Sequence, residues 1–362
     1  MGLKNIKFGK MNQKTRSSLI TYCMVLLAFV LVQIMISAGS MSNLMKGILV
    51  PLCIYAILAI SLNLTVGILG ELSLGHAGFM CVGAFAGAVF SKCMKDVIPV
   101  AGVRFFLAIL IGALFAALFG ILIGIPVLRL KGDYLAIVTL AFGEIIKNVM
   151  NVIYLGVDSK GLHFSMKDAM SLNLEQDGQI IIKGAQGITG TPKDATFTIG
   201  IVLVLVTLFV VNNLINSRSG RAIMAIRDNR IAAESVGINI TKYKLMAFSI
   251  SASLAGVAGV LYAHNLSTLT ALPKNFGYNM SIMILVFVVL GGIGNIRGSI
   301  IAAVILTLLP ELLRGLSEYR MLIYAIVLIV TMIVSNNPKA EEFRNMVIHK
   351  LKRNKKQTKE AK

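Results

Sequence analysis

Apolar residues in this chain recur in long blocks. They follow neither the alternation of a half-buried strand nor the narrow stripe of a water-facing helix. Crossing a bilayer core of about 30 Å takes roughly 20 helical residues. Ser18 to Ser37, Gly47 to Val66 and Phe105 to Val127 meet that length without a charged residue, and each predicts a membrane-spanning helix. Leu72 to Phe90 is long enough but begins with Ser73 and His76, and Tyr134 to Tyr154 carries Glu144, Lys147, Asn148 and Asn151. Both predict spans that face protein rather than lipid. Phe197 to Ile215 and Leu245 to Tyr262 complete the full-length set. Met280 to Ile293, Ile300 to Leu313 and Met321 to Val334 are shorter, a length shared by spans, re-entrant helices and buried helices, with Gly291, Gly292, Gly294 and Gly298 clustered at the first junction. The expected fold is all-α, a polytopic transmembrane bundle of eight to ten spans.

Charge narrows the count to ten. The net charge of +19 would suggest a nucleic-acid partner, but its placement excludes one. It gathers in a basic arm over residues 1–17 (Lys4, Lys7, Lys10, Lys14, Arg16), in a tail over 336–362, and in the segment 217–244, where six Lys and Arg face Asp228 and Glu234. Basic segments flanking spans mark cytoplasmic sides. Ten spans from a cytoplasmic N-terminus place Arg129, Lys131, the 217–244 loop, Arg297 and the tail on that side, both termini included. The same count places the near-neutral 156–195 loop outside, and an odd number breaks the agreement. Lys92, Lys95 and Arg104 fall outside against Asp96 alone, an exception the sequence does not explain. The transmembrane domain then runs over 18–335, in a chain expected to cross a membrane many times.

Composition supports a bilayer solvent: 56% of residues are hydrophobic, 14% are charged, and the mean hydropathy is +0.81. The opening apolar stretch exceeds a secretory signal core and reads as a retained first span. No catalytic constellation is present. The chain lacks a GxxxxGK[ST] phosphate loop, Gly292 to Gly298 has the wrong spacing for a dinucleotide turn, and the four histidines never fall at HExxH spacing. Cys23, Cys53, Cys81 and Cys93 are scattered and read as packing residues, so no metal site is expected. An intramembrane hydrolase has only isolated polar residues in its favour.

Small residues four apart, Gly83/Gly87, Gly120/Gly124 and Ala255/Gly259, predict close helix packing. Glu144 and Lys147 share a helical face and can form a pathway or gating site. They can equally snorkel or tie to neighbouring helices. With the broken glycine-rich runs, they also fit an ion-coupled secondary carrier. Asn63 and Thr65, near the inner end of the second span, either line a pathway or bond across helices at roughly 1 kcal/mol each.

The segment from Ser217 onward is different in kind. Ile223, Ile226, Ile231 and Val236 interleave with Arg221, Arg227, Arg230 and Glu234. This predicts a single amphipathic helix of about four turns closed by Gly237. Such a helix lies on the anionic leaflet or docks a soluble protein that transmits force.

The stretch SGRAIMAIRDNRIAAESVGINITKYKLMAFSISASLAGVAGVLYAH, from Ser219, resembles the cytoplasmic loop and following span of permease subunits from branched-chain amino acid ABC importers. GDYLAIVTLAFGEI from Gly132, GGIGNIRGSIIAAVILTLLPELLR from Gly291 and GAQGITGTP from Gly184 agree in order and spacing. The resemblance runs from about Pro51 to Val334. It implies a translocation path for branched-chain amino acids, with urea, amide, nucleoside and sugar importers using related permeases. It also implies no cofactor on this chain, ATP being used by separate ATPase subunits. Its other implied partners are an extracytoplasmic substrate-binding protein and a second permease, homologous or identical. Gly220, Arg221, Arg227, Ala232, Ala233, Glu234 and Gly237 correspond to the region that couples to the ATPase.

Overall fold

The computed structural model describes residues 13–313 except 96, 131, 159–160 and 176–177, with scattered positions between 319 and 333. The apolar blocks become helices because a backbone in lipid must satisfy its own hydrogen bonds. In chain order they are α1 (Gln13–Ser37), α2 (Asn43–Asn63), a π-helical turn (Leu64–Leu69), α3 (His76–Cys93), α4 (Ala101–Val127), α5 (Asp133–Val152) and α6 (Phe197–Asn216). Two short helices follow, α7 (Arg218–Asp228) and α8 (Arg230–Ser235), then α9 (Ile240–Ala263), α10 (Pro273–Phe276), α11 (Tyr278–Gly291) and α12 (Ile296–Leu312). Among the described residues, eight helical segments are long and apolar enough to cross a membrane: α1, α2 with its π turn, α3 to α6, α9, and α10 with α11. α12 has 17 residues, and the expected run from Met321 to Val334 lies largely outside the described residues. Contacts divide the chain into two units, residues 1–304 and 305–362, and the first contains α1 to α11 with the start of α12.

The core forms where α9 packs between α3 and α4, and small residues let it do so. A Cβ added at Gly83 would lie 2.3 Å from the Gly256 Cα, and one at Gly259 would lie 2.0 Å from the Met80 carbonyl oxygen. At Gly120 it would meet the Ala252 methyl at 2.7 Å. The expected small-residue pairs are therefore contact faces between α3, α9 and α4.

Loops sort to two ends of the bundle. At one, the segment expected only as a loop forms a three-stranded antiparallel sheet of order β2-β1-β3, from β1 (Tyr154–Asp158), β2 (Gly161–Ser165) and β3 (Gln179–Lys183). β4 (Ile188–Thr189) pairs with β5 (Thr268–Leu269). The bundle is helical as expected, and the strands amend the all-α reading. Leu155 stands opposite Phe164 and Ile182, giving the sheet one apolar face. The alternation that makes that face spans five residues per strand, too short to stand out between long apolar blocks.

The sheet end also holds two of the three basic residues that stood as exceptions to the charge pattern, Arg104 and Lys92. Arg104, only 6% exposed, pairs with Asp194 at 3.6 Å, and Lys92 Nζ donates to the Thr189 carbonyl at 2.9 Å. Both fasten the segment between the sheet and α6 to the bundle. Beside them His264, just past the end of α9, donates from Nδ1 to the Val260 carbonyl (2.9 Å) and accepts at Nε2 from Ser91 (2.7 Å).

The packing makes a contrast between glycines. Gly83→Val and Gly259→Leu force α9 off α3, and the expected result is loss of the monodisperse peak in detergent size-exclusion chromatography. Gly47→Ala, where nothing lies within 4 Å, is expected to leave the peak intact and to raise stability by about 0.5–1 kcal/mol.

Candidate functional site

At the end opposite the sheet, α2 does not stop at Asn63 but widens into the π turn Leu64–Leu69, closed by Gly70 in the left-handed region (φ +79°) with its N–H on the Thr65 carbonyl. Such turns displace carbonyls from the regular ladder and gather at functional sites. Here the carbonyls of Ser61 and Gly67, at the turn and just before it, take side-chain partners from distant segments. Ser251 of α9 donates to the Ser61 carbonyl at 2.6 Å, and Arg227 Nη1 of α7 donates to the Gly67 carbonyl at 2.9 Å.

Asn63 and Thr65 complete this junction. Asn63 is fully buried; its Nδ2 donates to Ser299 (2.7 Å) and its Oδ1 accepts the Gly294 N–H (2.9 Å). Thr65 donates to Ser251 at 2.8 Å. Both side chains bond across elements and are sealed from any open path in this conformation. The turn joining α11 to α12 comes this close because Gly67 of the π turn has no side chain: a Cβ there would lie 2.4 Å from the Gly294 nitrogen. Lys244 of α9 forms an ion pair with Glu71, just past the π turn, which fixes the start of α9 to the same junction.

The amphipathic segment differs from the single helix expected. Asn229 breaks it into α7 and α8, leaving helical φ/ψ (φ −153°) and accepting the Ala232 N–H on its side chain at 3.1 Å. An asparagine that caps a new helix competes with continuation of the old one. Ser217 caps α7 and Asn239 caps α9 in the same way, and Gly237 closes α8 in the left-handed region (φ +83°). The break also splits the predicted apolar stripe. Ile223 and Ile226 are buried, whereas Ile231 is 80% and Val236 74% exposed.

The coupling candidates thus fall into two groups. Gly220 is buried at the α6–α7 corner, where a Cβ would lie 2.1 Å from the Leu214 carbonyl oxygen. Arg221 donates to the Asn216 carbonyl (3.3 Å), Arg227 reaches the π turn and also binds Asp228, and Ala233 packs against Ile226 and Ile240. These residues hold the loop to the bundle. Ala232, Glu234 and Gly237 are exposed with Ile231 and Val236, forming an outward apolar face with one carboxylate. Glu71, Ser251 and Ser299 were absent from the sequence-derived candidates. Their polarity was visible, but only the fold brings them to Asn63, Thr65 and Lys244.

Glu144 and Lys147 lie apart from this junction. They pair with each other, and Glu144 Oε1 accepts the N–H of Tyr278, the first residue of α11, at 2.7 Å. A carboxylate there satisfies an open helix N-terminus and suits its dipole. The pair ties α5 to α11. A cavity of about 520 Å³ between α3, α4, α5 and the sheet is apolar, lined by residues such as Phe85, Phe115, Met150 and Phe164. Its lining contains no Asp, Glu, Lys, Arg or His. Among the described residues no cluster of His, Cys, Asp and Glu could hold a metal ion.

The tie between α5 and α11 generates a non-additive prediction. Glu144→Gln leaves the buried Lys147 without its counter-ion, an expected loss of about 3–5 kcal/mol. The double variant Glu144→Gln/Lys147→Met is expected to melt closer to wild type than the single one. Equal melting of the two would show that the pair is not coupled.

Comparison with known proteins bears on the whole arrangement. A family model described as branched-chain amino acid transport system / permease component matches residues 44–332. The high-affinity branched-chain amino acid transport system permease proteins LivM of Salmonella typhimurium and Escherichia coli K12 are each 36% identical over 289 residues, 77% of this chain and 66% of theirs. This chain therefore spans just under two thirds of the length of those relatives. The ribose import permease protein RbsC of Escherichia coli K12 is 33% identical over 129 residues, 33% of this chain and 40% of its own. No solved structure matches the chain. The matched region takes in α2 to α12, the π turn and the α7–α8 loop, and this multi-pass membrane protein belongs to the family of permease components of branched-chain amino acid transport systems.

Proposed function

We propose that this chain is the permease subunit of an ABC importer for branched-chain, hydrophobic amino acids, in a bacterial cytoplasmic membrane. In this reading it crosses the bilayer ten times with both termini and the α7–α8 loop inside and the sheet outside. The observation that carries the reading is the double-sided loop. Its outward face of Ile231, Ala232, Glu234 and Val236 suits a protein cleft, and its inward face ends on the backbone of a membrane-spanning helix through Arg227. An ATPase subunit gripping α8 therefore pulls on α2, α9 and the glycine turn together. ATP binding and hydrolysis in that partner then bias the path between outward-facing and inward-facing states.

The other partners follow from the same orientation. The sheet end, where Arg104 and Lys92 fasten the segment between the sheet and α6 to the bundle, offers a firm outer surface for a substrate-delivering protein. A second permease, homologous or identical, completes the path. This chain performs no bond-breaking chemistry and holds no cofactor of its own. An ion-coupled carrier loses its main support, because Glu144 and Lys147 are bonded to each other and to α11. Related permeases import sugars, and the RbsC similarity keeps a sugar substrate as the alternative within the class.

Two substitutions separate docking from transmission. Glu234→Arg on the outer face is expected to reduce copurification of the ATPase and uptake together, with membrane insertion unchanged. Arg227→Gln, acting on the inner side, is expected to keep the ATPase bound while uptake falls roughly tenfold, the factor equivalent to about 1.4 kcal/mol. Normal uptake and copurification with Glu234→Arg, or uptake that survives without the ATPase and collapses with an ion gradient, would overturn the reading.

A further inference from the structure

A second cavity, of about 580 Å³, opens at the α7 end of the bundle, beside the junction described above. Ser18 and Thr21 of α1, Asn212 and Asn216 of α6, Asn295 of the glycine turn and Arg297 at the start of α12 line it. Among these lining residues there is no carboxylate. Arg297 Nε donates to Thr21 at 2.5 Å, which holds its guanidinium against the cleft wall. Arg221, outside the lining, donates to the carbonyl of the lining residue Asn216.

Position identifies the kind of anion. Leu19 and Ile20 on α1 and Val202, Val206 and Phe209 on α6 are exposed apolar residues, so both helices present lipid-facing flanks that end at this cleft. A molecule bound here thus meets hydrocarbon on one side and arginine and amide donors on the other. Guanidinium groups bind phosphate through paired, charge-assisted hydrogen bonds, and a polar cleft of this size accommodates a glycerophosphate group. We propose that the cleft binds the phosphate of an anionic lipid headgroup, with the acyl chains lying along α1 and α6.

The site adjoins the junction. Ile68 of the π turn and Met224 of α7 close its inner wall. A bound headgroup therefore bridges the coupling loop, the π turn and the glycine turn, and lipid composition becomes a determinant of how firmly they hold together.

The test uses the delipidated full-length chain in a neutral detergent, with thermal unfolding followed as lipid is added. Three probes are compared: dioleoylphosphatidylglycerol, dioleoylglycerol with the same acyl chains and no phosphate, and inorganic phosphate. Only the phosphatidylglycerol is expected to raise the melting temperature. Arg297→Gln should shift its half-maximal concentration upward about tenfold, the scale set by losing a charge-assisted hydrogen bond. Asn212→Leu fills the cleft while keeping the guanidinium; it should give the same shift, and it decides the matter if Arg297→Gln does not fold. Arg129→Gln, on an exposed residue away from the cleft, should leave the titration unchanged. Equal effects of dioleoylglycerol and phosphatidylglycerol, or titrations identical to wild type in both cleft variants, would overturn the proposal. Stabilisation by inorganic phosphate that both variants lose would support the phosphate chemistry and overturn the lipid source.

Discussion

The hydrogen bond from Arg227 to the carbonyl of Gly67 is the interaction on which the rest of the arrangement depends. A helix in lipid ordinarily spends every carbonyl on itself, and the π turn at Leu64–Leu69 suspends that rule in a place where protein, not lipid, surrounds the backbone. Carbonyls at and beside the turn become acceptors for α7 and α9, and Asn63 and Thr65 carry the bonding on to the α11–α12 turn and α9. Segments far apart in sequence thus meet on about one and a half turns of one helix. An unpaired buried carbonyl costs about 1–3 kcal/mol, so separating these segments one at a time is costly, whereas moving them together is not.

The two ends of the bundle differ in kind for the same reason. The sheet end is held by strand ladders and by the Arg104–Asp194 pair, which make a fixed cap. The opposite end is held by single side-chain bonds around a widened turn, with close-packed glycines allowing backbones to touch. Interfaces of that sort have discrete alternative arrangements, and a bundle fixed at one end and switchable at the other suits a path that opens alternately. α9, packed between α3 and α4, links the two.

Much of this was legible in the sequence. Block lengths identified the full-length spans, and the small-residue pairs identified the faces on which α3, α4 and α9 meet. The 217–244 segment stood out by its interleaved arginines and isoleucines, and its resemblance to permeases of the importer class agrees with the family match. Other features were not legible. Asn229 reads as one more polar residue in a helical pattern until its side chain is seen capping α8. The strands are too short for their alternation to register between apolar blocks. The junction joins residues up to 236 positions apart, as in Asn63 with Ser299, and no local pattern encodes such a meeting. Glu144 and Lys147 share a helical face as expected, and only the fold shows that Glu144 also accepts the N–H of Tyr278 at the start of α11.

The most direct test of the junction replaces its hydrogen bond with a covalent one. A Cβ built on Gly70 lies 3.5 Å from that of Arg227, within disulfide range. Gly70→Cys/Arg227→Cys, in a chain with Cys23, Cys53, Cys81 and Cys93 replaced by alanine and assembled with the proposed ATPase partner, should transport poorly when reduced, because the arginine is gone and a side chain at position 70 strains the left-handed end of the π turn. Oxidation should restore ATP-driven uptake if the coupling loop and the π turn travel as one body. Uptake that stops on oxidation and returns on reduction would show instead that the contact must open in every cycle, and would contradict a rigid coupling between them.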